Sequence, residues 1–239
     1  MRTTRKAHEL RPLSIEPAVA KFAAGSARIA LGDTIVLCTA SLSEGVPRWL
    51  RGSGRGWLTA EYSMLPGATP TRTAREAVRG RQSGRTMEIQ RLIGRSLRSV
   101  VDLGIVGERT IAVDCDVLQA DGGTRTASIT GAYVAVYQVA LKIKDLLGLN
   151  EVPLFDSLSA ISVGVVDGRT LLDLDYEEDS AAAVDMNVVM TGAGKLVEVQ
   201  ATAEGEPYAR ETLSEMLDLA AAGAAAQAAA QTAAVEALG

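Results

Sequence analysis

The sequence has one histidine, His8, and two cysteines, Cys38 and Cys115, among its 239 residues. One histidine near the N-terminus argues against the Ser-His-Asp and Cys-His mechanisms, in which a histidine activates the nucleophile. The cysteines lie in separate apolar runs, and no cysteine–histidine cluster has the spacing of zinc ligands. We therefore expect two buried free thiols in a reducing compartment.

Aromatic residues make up only 4% of the chain, and long uncharged apolar runs are missing. No signal peptide is recognisable either, so the sequence predicts a cytoplasmic protein with no membrane partner. The net charge of −5 gives no overall attraction to nucleic acid, so any such site must come from local clustering. No linker-like change in composition divides the chain, and we predict a single domain over residues 1–239.

Two adjacent glycines, Gly122 and Gly123, follow an apolar strand-like run at 110–118 and precede a long apolar helix. Glycines permit a sharp turn, and the start of a helix presents unpaired N–H groups to an anion. Thr124 adds a hydroxyl and Arg125 a planar fork of donors. A tight strand-to-helix connection capped by Thr124 is the alternative. The arginine favours a phosphate pocket, because a plain connection does not need one.

Eight arginines crowd into residues 72–98, where only Glu76 and Glu88 oppose them. They are Arg72, Arg75, Arg79, Arg81, Arg85, Arg91, Arg95 and Arg98. The absence of lysine favours planar recognition of phosphate. Apolar spacing predicts a helix over 87–101, with the last three arginines on its opposite face as a solvated surface or a subunit contact. The first four, in a loop or broken helix, are interpreted as contacts to an RNA backbone.

The acidic stretch at 175–187 lies between two predicted hairpins, which turn at 167–168 and 191–194. Composition alone favours an acidic surface loop, whereas carboxylates at a strand end suit Mg²⁺. A further helix is predicted over 208–219, followed by an alanine-rich C-terminal helix that packs thinly or frays. The basic N-terminal arm is interpreted as a solvated terminus. This order of elements predicts an α+β fold.

Three stretches resemble the ribonuclease PH family. Residues 118–132, LQADGGTRTASITGA, are similar to the family signature over fifteen consecutive positions. Residues 57–62, WLTAEY, followed by Met-Leu-Pro, match a second segment of the family. The pairing of Glu-Asp-Ser at 178–180 with Val-Asp-Met-Asn at 184–187 resembles its catalytic and metal-binding stretch. One departure is the arm, where Arg-Thr-Thr-Arg replaces the usual Arg-x-Asp-Gly-Arg.

The resemblance implies the ribonuclease PH-like fold, a mixed β-sheet with helices packed against it. It also implies a phosphorolytic 3′→5′ exoribonuclease that trims tRNA precursors and other RNA. Inorganic phosphate is then the co-substrate, bound by Arg85, Gly123, Thr124 and Arg125. Asp179 and Asp185 match the catalytic aspartates and imply bound Mg²⁺, while Arg72, Arg75, Arg79 and Arg81 fall in the region that meets tRNA.

The family further implies a homo-hexamer made of three dimers. Two other functions stay open at this point. One is a catalytically silent RNA-binding ring subunit of an RNA-degrading assembly, although the matched aspartates and Arg125 are present. The other is an enzyme for nucleotides or sugar phosphates that uses the same anion pocket. That second alternative leaves the arginines of residues 72–81 without a role.

Overall fold

Two β-sheets and six α-helices make up the computed structural model, which describes Arg2 and residues 5–238. Thr3 and Thr4, where the arm departs from the family pattern, lie outside these residues. The strands are β1 (Leu13–Pro17), β2 (Gly25–Leu31), β3 (Thr34–Glu44), β4 (Trp57–Met64), β5 (Arg109–Gln119), β6 (Leu158–Val166), β7 (Arg169–Leu172), β8 (Val184–Thr191) and β9 (Leu196–Ala203). The helices are α1 (Glu76–Arg79), α2 (Gly84–Arg98), α3 (Leu103–Val106), α4 (Thr124–Leu147), α5 (Tyr176–Ala181) and α6 (Arg210–Glu236), with a short 3₁₀ turn at Arg48–Leu50.

The first sheet has the strand order β1-β2-β3-β5-β4 and is mixed, because β4 runs parallel to β5 while the other pairs are antiparallel. The second sheet is antiparallel, with the order β7-β6-β8-β9. This arrangement confirms the predicted α+β class and mixed sheet. Both predicted hairpin turns, at 167–168 and 191–194, join strands as expected.

Helix α4 lies between the two sheets and contacts β2, β3, β5 and β6. It is buried along most of its length, as its apolar sequence predicts. The hydroxyl of Thr130 accepts a hydrogen bond from the N–H of Ala160 on β6 at 3.0 Å, which ties the helix to the second sheet. On the other side, Cys38 and Cys115 pack beneath α4 as free, buried thiols, in agreement with the sequence.

Helix α6 is longer and better packed than predicted. It runs without interruption from Arg210 to Glu236, whereas the sequence predicted a helix over 208–219 followed by an alanine-rich helix that packs thinly or frays. Small side chains allow the close approach: a Cβ at Gly223 would lie 2.8 Å from Leu172. The buried amide of Gln231 donates to the carbonyls of Thr130 and Leu158, so the alanine-rich segment is fixed against both α4 and β6.

Helix α2 begins three residues earlier than the apolar periodicity predicts. The hydroxyl of Ser83 accepts a hydrogen bond from the N–H of Thr86 and caps the helix, which brings Arg85 into its first turn. Among the described helices, none combines the length and the apolar character that crossing a bilayer requires. The expectation of a single domain stays a prediction.

Candidate active site

The glycine turn, residues 121–123, joins β5 to α4 and is built from backbone conformations that suit glycine. Gly122 and Gly123 have φ values of 71° and 66°. A Cβ at Gly122 would lie 2.6 Å from the carbonyl oxygen of Leu174, so any larger residue would collide with the backbone before α5. The glycine turn therefore packs directly against the connection that leads to the acidic stretch.

The side chains of Thr34 and Arg11 hold the glycine turn in place through hydrogen bonds to its backbone. The hydroxyl of Thr34 donates to the carbonyl of Gly122 at 2.6 Å and accepts from the N–H of Asp121 at 3.0 Å. The guanidinium of Arg11 donates to the carbonyl of Asp121. The same guanidinium binds both carboxylate oxygens of Asp173, which is fully buried after β7. One buried cation thus joins the glycine turn to the segment that precedes α5.

The acidic stretch is a helix and a strand, not the surface loop that composition favoured. Asp175 caps α5 and forms a capping box with Glu178. Glu178 is buried and receives hydrogen bonds from Arg2 at 2.6 Å and from Arg5 at 3.2 Å. The interpretation of the arm as a solvated terminus was therefore wrong for these two arginines, because they find buried acceptors in α5.

Burial and neighbouring charge oppose one another at the Glu178 carboxylate. Burial alone would raise the pKa of Glu178, but the hydrogen bond from Arg2 and the charges of Arg2 and Arg5 lower it. The ionised carboxylate is therefore favoured at neutral pH. Glu178 points toward the arm, whereas the next residue, Asp179, lines the cleft described below.

Asp185 lies on β8, where it pairs with Gly164 on one side and Thr202 on the other. Its Oδ1 atom is buried and has no hydrogen-bond partner among the described residues, while Oδ2 accepts a long bond of 3.4 Å from Asn187. Burial, reinforced by the negative charge of Asp179, raises the pKa of Asp185 to about 6. A carboxylate that is buried, near a like charge and short of donors is typical of a functional site.

A cleft of about 840 Å³ brings the predicted site residues together. Its walls come from α2, the start of α4, α5, β8 and β9. All six residues predicted to bind phosphate or metal line it: Arg85, Gly123, Thr124, Arg125, Asp179 and Asp185. The sequence separates the first and last of these by 100 positions, so their convergence is a property of the fold.

The two arginines of the cleft differ in how they are held. Arg125 is largely buried, and its guanidinium contacts Glu88 at 3.3 Å and Gln200 at 3.2 Å. Arg85 is exposed and forms no ion pair with any described residue. Their positive charge acts on the opposite wall, where burial raises the pKa of Asp179 but Arg125 and Arg85 act to lower it. One wall of the cleft is therefore cationic and the other anionic.

Thr124 does not cap α4. The N-cap is Gly123, which has no side chain, and the Thr124 hydroxyl instead lies 2.9 Å from the hydroxyl of Tyr62 on β4. The alternative of a connection capped by Thr124 was therefore wrong. The first turn of α4 keeps its N–H groups free of a side-chain cap among the described residues, as an anion-binding helix start requires.

The arginines predicted to contact RNA lie outside the cleft. Arg72, Arg75, Arg79 and Arg81 are exposed on α1 and its flanking loops. Arg75 and Arg81 border a second cavity of about 620 Å³, whose other wall carries three carboxylates, those of Glu61, Asp114 and Asp116. On α2, Arg91 and Arg95 are exposed as predicted. Arg98 differs, because it lies over the ring of Trp57 and donates to the carbonyl of Leu58.

Sequence reasoning missed several residues that shape the cleft. Arg11 and Glu178 act through partners far away in the chain, which local sequence does not reveal. Tyr62 belongs to the WLTAEY segment, whose match to the family was a usable signal. Glu88 on α2, Gln200 on β9 and Glu204 directly after β9 also line the cleft, and none belongs to a recognisable motif. No cluster of three or more histidine, cysteine or carboxylate ligands exists among the described residues.

Comparison with known proteins gives consistent matches. The family model for domain 1 of the 3′ exoribonuclease family covers residues 9–142, and that for domain 2 covers residues 156–223. Ribonuclease PH of Moorella thermoacetica is 60% identical over 219 residues, which are 92% of this chain and 88% of the relative.

Solved structures show the same fold. Rice Rrp46 aligns with a TM-score of 0.79 at 19% identity, covering 97% of this chain and 98% of that one. A chain of the Archaeoglobus fulgidus exosome, a structure with RNA bound to the active site, aligns with a TM-score of 0.74 at 25% identity and covers 92% and 88%. A chain of an archaeal exosome core aligns with a TM-score of 0.72 at 24% identity and covers 92% and 86%.

Proposed function

This chain belongs to the 3′ exoribonuclease family and is a phosphate-dependent 3′→5′ exoribonuclease, and we propose that the cleft between α2, α4, α5 and β8 is its active site. Trimming the 3′ ends of tRNA precursors is the role of the ribonuclease PH family. One observation carries the proposal: four charged side chains from four separate elements, Arg85, Arg125, Asp179 and Asp185, meet at one cleft.

Inorganic phosphate attacks the last phosphodiester of the RNA in this reaction. A bond forms between a phosphate oxygen and the terminal phosphorus, and the bond to the 3′ oxygen of the preceding nucleotide breaks. The products are a nucleoside diphosphate and an RNA shorter by one nucleotide. No protein nucleophile is needed, so catalysis depends on positioning and on charge.

Arg85, Arg125 and the start of α4 would hold the attacking phosphate. The hydrogen bonds that Arg125 makes with Glu88 and Gln200 fix its planar group before phosphate arrives, whereas the Arg85 side chain has no hydrogen-bond partner within the described part of the chain. The free N–H groups after Gly123 add donors that point along the helix axis. Thr124 lies next to these groups at the start of α4, and its hydroxyl is held by the hydroxyl of Tyr62.

The opposite wall suits a divalent cation. Mg²⁺ in phosphoryl-transfer sites is usually held by one or two carboxylates together with substrate oxygens and water, so the absence of a three-ligand cluster in the described residues does not argue against it. The unpartnered buried Oδ1 of Asp185 lacks the donor or cation that a buried carboxylate needs. Asp179 and Asp185 would therefore be the ligands. Bound Mg²⁺ would neutralise charge that develops on the phosphoryl oxygens.

Arg72, Arg75, Arg79 and Arg81 would contact the RNA backbone outside the cleft, because they are exposed and form no ion pairs within the described chain. A homo-hexamer of three dimers, the arrangement that the family implies, would place several such clefts and arginine segments in one particle. Light scattering at micromolar concentration would test this, and a monomer alone would contradict it. A cytoplasmic location stays part of the same proposal.

The activity is tested with an end-labelled tRNA precursor and Mg²⁺, with and without inorganic phosphate, and with chromatographic identification of the products. We expect nucleoside diphosphates only when phosphate is present. Asp185→Asn keeps the side-chain shape and should abolish turnover while RNA still binds. RNA binding without any phosphorolysis in the wild-type protein would instead indicate a catalytically silent ring subunit.

A further inference from the structure

An exposed tryptophan in a basic loop is not used by the chemistry proposed above. Trp49 is 67% exposed and lies on the connection between β3 and β4, here called the Trp49 loop (residues 45–56). Arg48, Arg51 and Arg55 in the same loop are also at the surface, and none forms an ion pair with a described residue. A solvent-exposed indole ring beside three exposed guanidinium groups is typical of a surface that binds single-stranded nucleic acid.

The ring of Trp49 is fixed in place and not merely exposed. It packs edge-to-face on Trp57, with ring centroids 4.8 Å apart and an angle of 83°. The guanidinium of Arg98 lies 4.6 Å from the ring of Trp57, on the same small cluster. The carboxylate of Glu108 accepts hydrogen bonds from the N–H groups of Gly52 and Gly54 at 2.5 and 3.3 Å. A base that stacks on Trp49 therefore costs little conformational entropy, because the ring is already held in place.

Local charge favours an anionic partner. Two acidic residues next to the loop, Glu44 and Glu108, both have partners: Glu44 binds Arg109 at 2.8 Å, and Glu108 binds the loop backbone. The three loop arginines have no acidic partner in the described structure, although the net charge of the protein is −5. RNA supplies both a regular line of phosphates for the arginines and flat bases for the indole ring.

The position of the Trp49 loop relates it to the cleft. Helix α2 carries Arg85 in its first turn, at the cleft, and Arg98 in its last turn, over Trp57. Its 15 residues span about 22 Å. The loop is therefore separated from the reacting 3′ end by the length of a helix, and only an RNA with several nucleotides upstream of that end can reach both places.

We propose that the Trp49 loop is a second RNA-binding site, which holds a single-stranded segment upstream of the 3′ end. One base stacks on Trp49, and Arg48, Arg51 and Arg55 bind the neighbouring phosphates. The inference rests on the proposed exoribonuclease activity for the identity of the partner. It predicts that the enzyme binds long RNA more tightly than short RNA because only the long RNA reaches the Trp49 loop.

Fluorescence provides a direct test, because the chain has only two tryptophans. Trp57→Phe leaves Trp49 as the single reporter. Without phosphate or metal, single-stranded oligoadenylate long enough to span α2 should quench this fluorescence to saturation. An oligomer too short to leave the cleft should not. Equal quenching by both, or by neither, would overturn the proposal.

Substitution of Trp49 provides a second test. Trp49→Ala should weaken binding of the long oligomer roughly fivefold or more, since the platform for one stacked base is removed. Phosphorolysis of the short oligomer should stay at its wild-type rate, which separates a failure of this inference from a failure of the proposed function. Phe155→Ala, which truncates another exposed aromatic ring, is the matched control and should bind long RNA normally.

The arginines are tested together. Changing Arg48, Arg51 and Arg55 to Gln should reduce the salt dependence of long-RNA binding by about 0.7 in slope for each phosphate that an arginine no longer neutralises. Unchanged affinity in this variant and in Trp49→Ala would overturn the proposal. A drop in particle mass by light scattering, with RNA binding per subunit intact, would also overturn it and would identify the loop as part of an interface between subunits.

Discussion

The guanidinium of Arg11 binds the carboxylate of Asp173 through hydrogen bonds of 3.0 and 2.7 Å, and both residues are buried. Arg11 also donates to the carbonyl of Asp121 in the glycine turn. The Arg11 guanidinium therefore fixes the position of the glycine turn, on the proposed phosphate side of the cleft, relative to the segment before α5. Arg11 is a positioning residue, since it does not itself line the cleft.

Arg11→Lys keeps the positive charge but loses the fork that serves Asp173 and Asp121 at once. We expect a half-saturating phosphate concentration raised about tenfold or more and a lower kcat, because misplaced reactants lose much of the rate. RNA affinity measured without phosphate should not change. Arg28→Lys, in the exposed pair with Glu16, is the control. Normal phosphate saturation in Arg11→Lys would show that the ion pair serves stability alone.

The hydroxyl of Tyr62 offers a second test of the phosphate side of the cleft, because its one hydrogen-bond partner among the described residues is the hydroxyl of Thr124. Tyr62→Phe removes this bond and little volume, so we expect a loss of about 1 kcal/mol in unfolding free energy. The half-saturating phosphate concentration should rise several-fold while RNA binding stays constant. Tyr137→Phe is the control. If both variants saturate with phosphate like the wild type, Thr124 does not depend on Tyr62.

The pKa of Asp185, raised to about 6, links the site to stability. Folding favours the protonated carboxyl here, so this group's contribution to stability is complete below its unfolded pKa near 4 and is lost as pH rises through 6. In metal-free protein, Asp185→Asn should raise the unfolding free energy at pH 7.5 by up to about 2 kcal/mol and by almost nothing at about pH 4. Thermal unfolding in EDTA at the two pH values measures the difference.

The same pKa sets a competition between protons and metal. Below pH 6 a proton occupies the carboxylate that would hold Mg²⁺, so the half-saturating Mg²⁺ concentration should rise about tenfold for each further pH unit. Titrations of phosphorolysis with Mg²⁺ at about pH 5 and pH 7.5 measure this. A requirement for Mg²⁺ that does not change with pH would remove Asp185 from the ligand set.

Local sequence predicted the phosphate side of the cleft, because Gly122, Gly123 and Arg125 lie within four positions of one another. Arg85, Asp179 and Asp185 were predicted from the resemblance to the ribonuclease PH family, since composition alone favoured a surface loop for the acidic stretch. Arg11 was beyond reach, because its partner Asp173 is 162 residues away and a buried ion pair leaves no periodic pattern. Glu178 belongs to the Glu-Asp-Ser match, but its role as the buried acceptor of Arg2 and Arg5 depends on contacts across 176 and 173 positions.

The errors in helix bounds have simple physical causes. Apolar spacing locates the buried face of α2 but not its first turn, which the Ser83 cap determines. For α6, the small surface that alanine buries predicted a C-terminal helix that packs thinly or frays. In the structure the small side chains allow the helix to approach β6 and β7 closely, and the buried amides of Gln227 and Gln231 fix it there.

The arginines outside the cleft should control RNA affinity and not the chemistry. Changing Arg72, Arg75, Arg79 and Arg81 to Ala should weaken RNA binding and reduce its salt dependence by about 0.7 in slope for each arginine–phosphate interaction removed from single-stranded RNA. The half-saturating phosphate concentration should stay constant, since none of the four lines the cleft. Unchanged affinity and slope would make these residues structural.

The most direct test of the cleft as a phosphorolytic site is the phosphate dependence of turnover in Arg125 variants. Arg125→Lys loses the planar fork, and Arg125→Ala loses the charge as well, at about 1.5–3 kcal/mol for each charge-assisted bond. We predict a graded loss of phosphorolysis, with wild type above Lys and Lys above Ala, and a rising half-saturating phosphate concentration. The reverse reaction, which adds nucleotides from nucleoside diphosphates, should fall in parallel. An Arg125→Ala variant with wild-type phosphate dependence in both directions would contradict the account.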